Sequence, residues 1–266
     1  MSIAILALAL QLAEGEPTKL ATGMKFTEGP VADGKGSVFY TDIPNNRIMK
    51  WDGKENAVWR ENSGGANGLR FDKDGRLVVC EGGNRRVTRI APDGTVTVLA
   101  DQFDGKKLNS PNDLAIDAKG GIYFTDPRYG KRDGMELDKE AVYYIPPGGG
   151  AIKRVADDLV RPNGIEVAGD LLYVADAGGK KVYVYGMNPD GTLRDRYEIA
   201  PVASDGLKVD GKGNLYTTTG NGVEVFDPEG KPLGTIQVPE KPSNCCFDGR
   251  TLYVTARTSL YKVLLK

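Results

Sequence analysis

Short apolar runs, each led in by a turn rich in Asp, Gly and Lys and closed by a small or acidic residue, recur six times along the chain. The copies are Ser37 to Asp42, Arg76 to Glu81, Gly121 to Asp126, Asp170 to Asp176, Asn214 to Thr219 and Thr251 to Ala256. Their last residues, 42, 81, 126, 176, 219 and 256, lie 39, 45, 50, 43 and 37 residues apart. A four-stranded propeller blade takes roughly 40–50 residues, so this is blade spacing. A second strand-like run follows each copy, as in Arg47 to Trp51, Arg86 to Ile90 and Lys181 to Tyr185. The pairs Asp52-Gly53, Asp93-Gly94 and Asp190-Gly191 supply the positive-φ residues of tight hairpins. No stretch sustains a helical period. The pattern predicts an all-β chain, a six-bladed β-propeller of four-stranded antiparallel blades, as one domain over residues 1–266. The charged stretch Lys131 to Lys139 interrupts the third repeat and reads as a surface loop.

Composition narrows the chemistry. Thirty-five basic against thirty-six acidic residues leave a net charge of −1, so there is no basic field to hold nucleic acid or an anionic membrane. The chain has no histidine, which excludes Ser-His-Asp and Cys-His nucleophiles and histidine-bound zinc. Any catalysis must come from carboxylates, amides, hydroxyls, the backbone or an oxygen-bound metal. Cys80, Cys245 and Cys246 are odd in number and two are adjacent, so they read as buried thiols. Within Met1 to Ala13 the apolar run Ile3 to Leu10 is too short to span a membrane. It reads as the remnant of a signal peptide, implying a periplasmic or secreted protein, or as an N-terminal strand, which leaves a cytoplasmic protein. No stable membrane insertion is expected, and the protein is expected to be a monomer or weak dimer.

Counting back from each repeat's end reaches a polar residue in a shared setting beside Gly, Pro or Ser: Glu28, Asn67, Asn112, Asn163, Asp205 and Asn244. The separations are 14, 14, 14, 13, 14 and 12 residues (42 − 28, 81 − 67, 126 − 112, 176 − 163, 219 − 205, 256 − 244). In a propeller the innermost strands line the axis, so this register predicts a ring of side chains at one mouth of the channel. Asn and Asp favour turns on their own account, but Glu does not, and Glu28 fills the same slot. Two carboxylates and several amides are the oxygen donors a hard cation takes. Calcium, with about 6–8 ligands in irregular geometry, is favoured over magnesium, manganese or zinc.

The segments Thr27-Glu28-Gly29-Pro30, Ser110-Pro111-Asn112-Asp113, Thr125-Asp126-Pro127-Arg128-Tyr129-Gly130, Arg161-Pro162-Asn163-Gly164 and Ser204-Asp205-Gly206 resemble the gluconolactonase/regucalcin family, also called the senescence-marker-protein and luciferin-regenerating-enzyme family. The resemblance runs from about Gly23 to Lys266. It implies a six-bladed propeller with one divalent cation, hydrolysing sugar lactones or other esters. It further implies Glu28, Asn163 and Asp205 as metal ligands and Asn112 as a ligand or substrate contact. Regucalcin-type members carry an arginine two residues before the Asn112 equivalent; this chain has Ser110 and is more similar to the bacterial gluconolactonase branch.

On this reading the cation polarises the lactone carbonyl and Asp205 activates water, with Asn67, Asn112, Arg128 and Tyr129 as substrate-binding residues. Asn244, beside Cys245-Cys246, reads as structural. A phosphotriesterase-like hydrolase with Asp205 as nucleophile, and a non-enzymatic binding propeller, are the competing readings. The recurring Tyr40, Tyr123, Tyr173, Tyr216 and Tyr253 read as packing.

Overall fold

Each of the six repeated apolar runs is a strand buried on both faces, which is why it reads as a continuous apolar run rather than an alternating one. The computed structural model describes residues 12–266, so the apolar run Ile3 to Leu10 lies outside the described residues. The chain forms six four-stranded antiparallel sheets with a small accessory ribbon, and its fold class is the six-bladed β-propeller.

In order, the strands are β1 (Thr18–Ala21), β2 (Thr27–Ala32), β3 (Val38–Asp42), β4 (Arg47–Trp51), β5 (Asn56–Glu61), β6 (Ala66–Phe71), β7 (Leu77–Glu81), β8 (Arg86–Ile90), β9 (Val96–Ala100), β10 (Gln102–Phe103), β11 (Lys106–Lys107), β12 (Leu114–Ile116), β13 (Ile122–Asp126), β14 (Ala141–Ile145) and β15 (Lys153–Ala156). Then follow β16 (Pro162–Ala168), β17 (Leu171–Asp176), β18 (Lys181–Met187), β19 (Leu193–Ala200), β20 (Leu207–Val209), β21 (Leu215–Thr219), β22 (Gly222–Phe226), β23 (Pro232–Ile236), β24 (Pro242–Asp248), β25 (Thr251–Ala256) and β26 (Ser259–Leu264). Blades I to V are β2–β5, β6–β9, β12–β15, β16–β19 and β20–β23. Blade VI takes β24, β25 and β26 from the C-terminus and β1 from the N-terminus as its outer strand. The stretch 131–139, between β13 and β14, is a largely exposed loop, as its charge predicts.

The chain divides into two compact units of three blades each. One comprises residues 1–62 and 205–266 (blades V, VI and I), the other residues 63–204 (blades II, III and IV). In the first unit β24 packs beside β2 and β25 beside β2, with β20 and β21 on the other side of β24. In the second, β12 packs beside β6 and both β12 and β13 pack beside β16. Within each unit, then, the first strand of a blade packs beside the first strand of the next. Between blades the core is apolar: Tyr216, Val225, Cys245 and Tyr261 pack together between V and VI, and Tyr40, Met49, Cys246 and Tyr253 between VI and I. Successive side chains on a strand point to opposite faces, so the adjacent Cys245 and Cys246 serve different cores and remain free thiols, as does buried Cys80. The recurring tyrosines are all buried, as their spacing implies.

Candidate functional site

The six candidates of the repeat register sit where a blade begins, while Arg128 and Tyr129 lie on the loop after β13. Glu28, Asn67, Asn163 and Asn244 lie within the first three residues of β2, β6, β16 and β24, and Asn112 and Asp205 lie two residues ahead of β12 and β20. In four blades this place carries a bulge, between Glu28 and Val31, Ala66 and Leu69, Pro162 and Ile165, and Pro242 and Asn244. A bulge bends the strand and re-aims the side chain it carries, which is how a polar residue can leave the inter-blade core at this step.

In the first unit, Glu28 is 4% exposed and its Oε2 accepts hydrogen bonds from the Gly29 N–H (2.7 Å) and the Asn244 Nδ2 (3.1 Å). The Asn244 Oδ1 in turn accepts from the Cys245 N–H at 2.8 Å, so both ends of this amide are engaged in orienting it. The same amide fills the space over Gly206: a Cβ on Gly206 would stand 2.1 Å from the Asn244 Cγ. Gly206 donates its N–H to the Ser243 carbonyl at 2.7 Å, and the Asp205 N–H donates to the Thr218 carbonyl at 2.9 Å. Asn244 thus links the buried Glu28 to the segment that carries Asp205. Asp205 is itself half-buried, so water reaches it more readily than it reaches Glu28.

In the second unit, Asn112 and Asn163 are buried and Asn67 is half-buried. The Asn163 Nδ2 donates to the Tyr129 hydroxyl at 2.8 Å, and that hydroxyl donates to the Arg161 carbonyl at 3.1 Å. Tyr129 is otherwise 47% exposed, so its ring is available to a molecule arriving from solvent. Arg128 is turned onto its own loop and the lead-in to β12: its Nε donates to the Lys131 carbonyl at 2.8 Å and its Nη1 to the Asn109 carbonyl at 2.7 Å. Ser110, where the regucalcin type has arginine, donates its hydroxyl to the Gly82 carbonyl at 3.2 Å.

Two residues escaped the sequence register. Asp113 is 1% exposed and accepts the Leu114 N–H at 2.9 Å, the bond that Asn244 makes to Cys245 in blade VI. Each also packs over a glycine, Asp113 over Gly68 and Asn244 over Gly206. Asn244 therefore matches Asp113, and Ser243 matches Asn112. The signal was its separation of 12 residues from the strand end, shorter than the 13 or 14 of the others (256 − 244 against 126 − 112).

The donor chemistry of both units fits a hard cation. Because the Asn163 nitrogen is committed to Tyr129, the other terminus of that side chain is its carbonyl oxygen, a calcium-type ligand. Glu28 and Asp205 supply the negative charge. Among the described residues no three acidic or cysteine side chains cluster, so a cation here would depend on amide oxygens. The described helices include none long and apolar enough to cross a membrane.

Residues 26–258 match the SMP-30/gluconolactonase/LRE-like region. The chain is 30% identical to a gluconolactonase of Zymomonas mobilis, over 93% of this chain and 80% of that protein. It is 34% identical to a gluconolactonase of known structure from Xanthomonas campestris, with a TM-score of 0.89 over 98% of this chain and 93% of that one. Regucalcin from Agrobacterium tumefaciens, described as a calcium-binding protein, shares the fold at 16% identity and a TM-score of 0.77, covering 94% of each chain.

Proposed function

The chain belongs to the SMP-30/gluconolactonase/LRE-like family, and from that premise we propose that it is a metal-dependent lactonase, hydrolysing the ring ester of a sugar lactone. The observation that carries the metal-dependent part is the pair of acids in one unit, buried Glu28 and half-exposed Asp205, joined through Asn244 in a chain without histidine. The similarity to gluconolactonases supports the substrate class.

Glu28 and Asp205 would be the charged ligands of a divalent cation, calcium by the hardness of their oxygen donors, and Asn112 and Asn163 carry the matching amide oxygens in the second unit. What joins the four is their shared step at the start of a blade. When bound, the cation supplies Lewis-acid polarisation of the ester carbonyl. Asp205 takes the proton of the attacking water as its oxygen adds to the carbonyl carbon. The carbon–oxygen bond of the ring then breaks, and the ring oxygen leaves as a hydroxyl on receiving that proton back from Asp205. Asn67, Asn112 and Tyr129 contact the sugar, and Arg128 serves the same face by holding the loop from which Tyr129 projects.

The test is hydrolysis of gluconolactone by the purified protein with calcium and with chelator, alongside Glu28→Gln and Asp205→Asn. Turnover should disappear with chelator, and each variant should lose about 10²-fold or more, the order seen when electrostatic stabilisation is removed. Turnover indifferent to chelator, or near-normal rates in both variants, would overturn the reading.

A further inference from the structure

We infer that the carboxylates closing the second strands of blades I, III and IV, Asp42, Asp126 and Asp176, are positioning residues for the segments that deliver the cation ligands. The inference rests on the lactonase reading above and assigns residues that reading leaves without a role. Each acid reaches back to the backbone just ahead of a ligand. Asp126 is fully buried and uses both oxygens: Oδ2 accepts the Asn109 N–H and Oδ1 the Ser110 N–H, each at 2.7 Å, two residues before Asn112. The Asp42 Oδ1 accepts the N–H groups of Lys25 (3.0 Å) and Phe26 (3.3 Å), two residues before Glu28. The Asp176 Oδ1 accepts the Val160 N–H at 2.7 Å, three residues before Asn163.

A carboxylate is the right group for this work. It offers two acceptors on a short, stiff side chain, and bonds to charged acceptors are the stronger kind. Burying it is costly unless such donors meet it, so the lead-in and the acid hold each other in place. Asp126 bears the mark of that balance: burial pushes its carboxyl up to about 7, against the pull of the Asn109 and Ser110 N–H groups and the nearby Arg85 and Arg128. Blade II supplies an internal comparison. Its strand-end acid, Glu81, is also buried, yet its oxygens accept from Asn84, Arg86 and Thr88 of its own hairpin.

The experiment compares Asp126→Asn and Glu81→Gln with the wild-type protein, by calorimetric titration with calcium alone and by thermal melting. Asp126→Asn turns one acceptor into a donor facing an N–H, and it should weaken calcium binding about 10–100-fold, the effect of losing a partner that orients a metal ligand. Glu81→Gln should melt earlier yet bind calcium as the wild type does, because its bonds stay within its own hairpin. Asp176→Asn, which disturbs a single lead-in bond, is the milder second variant should Asp126→Asn not fold, with the same direction expected. Wild-type affinity in the Asp variants, or equal weakening by Glu81→Gln, overturns the positioning role while leaving the lactonase reading intact. Failure of the wild-type protein to bind any divalent cation overturns both.

Discussion

Replacing Gly206 by alanine isolates the contact through which Asn244 ties Glu28 to the Asp205 segment. The glycine has no need of an unusual backbone angle, so the cost of a side chain is steric alone. A Cβ would stand 2.1 Å from the Asn244 Cγ and 2.2 Å from its Oδ1, so one partner must move by about 1 Å or more. Gly206 cannot retreat: its N–H is held by the Ser243 carbonyl (2.7 Å) and the Thr218 hydroxyl (2.8 Å), and its carbonyl accepts from the Thr218 N–H (3.1 Å). The Asn244 amide must therefore turn, leaving its bonds to Glu28 and Cys245. Overpacking costs about 1–3 kcal/mol and an unmet buried polar group about 1–3 kcal/mol. A net loss of about 3 kcal/mol is expected, which for a chain of this size lowers Tm by about 6–12 °C. Calcium binding should weaken as well, since Glu28 loses a donor. The assay is a double-mutant cycle with Asn244→Ala, read by denaturant unfolding. Removing the amide makes room for the new methyl group, so the double variant should be less destabilised than the sum of the singles by about 1 kcal/mol or more. Gly211→Ala, in the same blade with nothing within 4 Å, should stay within about 0.5 kcal/mol of wild type. Additive effects, or an unchanged Tm in Gly206→Ala, would refute the reasoning.

Tyr129→Phe removes the hydroxyl that orients the Asn163 amide but leaves a ring that is already half in solvent. Calcium affinity or the KM for gluconolactone should worsen about tenfold with Tm unchanged; a changed Tm with unchanged binding and kinetics would contradict the assignment. Glu240 gives a stability signature at low pH. Burial works to raise its pKa, but bonds from Ser259, Thr258 and Tyr261 outweigh it and hold the group down to about 2. A depressed carboxyl stabilises above its unfolded pKa and loses that contribution as pH falls through the folded value. With about a fifth of the side chain exposed, the contribution is about 2 kcal/mol, present at pH 5 and above and lost toward pH 2. Glu240→Gln should be less stable than wild type by that amount at pH 7, with the gap closing below pH 4; a gap constant down to pH 2.5 would sink the idea.

The blade repeat was legible because the second strand of every blade is buried on both faces and leaves an apolar run that needs no partner to be recognised. The candidate ligands were legible for a related reason, a fixed distance from that run. What the sequence concealed depended on contacts that only folding makes. Asp113 lies beside Asn112, but its bond to the Leu114 N–H and its packing over Gly68 are what mark it as the counterpart of Asn244. Arg128 looked like a substrate residue in sequence; its guanidinium bonds run to the carbonyls of Asn109 and Lys131, which no local pattern announces. The acid that ends a repeat was visible as a motif, while its bond to a backbone sixteen or seventeen residues upstream was not. The outer strand of blade VI was hidden too, since β1 joins β26 across nearly the whole chain length.

In blades I, II, III, IV and VI a link joins the lead-in to the hairpin after the second strand, whatever the residue type, whereas Thr219 at the strand end of blade V bonds within its own hairpin. In blades I, III and IV the carboxylate is on the strand end and the N–H on the lead-in. Blade VI has Ala256 at the strand end and reverses the polarity: Glu240, two residues before β24, accepts the Thr258 N–H and hydroxyl, each at 2.9 Å, together with the Tyr261 hydroxyl at 2.8 Å. Blade II dispenses with the side chain, and the N–H groups of Gly82 and Asn84 donate to the carbonyls of Gly65 and Gly64 at 3.0 Å. That direct contact demands glycine, because a Cβ on Gly65 would stand 2.8 Å from the Gly83 nitrogen. Three chemical solutions to one connection argue that in these five blades the connection matters more than the residue that makes it. The lead-in backbone has lost the regular ladder before it reaches a short first strand, three residues in β12 and in β20, and its N–H and C=O groups need partners wherever they are buried. Satisfying them from the following hairpin also fixes the direction in which the next polar side chain leaves the backbone. Different blades therefore carry Glu, Asn or Asp at this step on one and the same architecture.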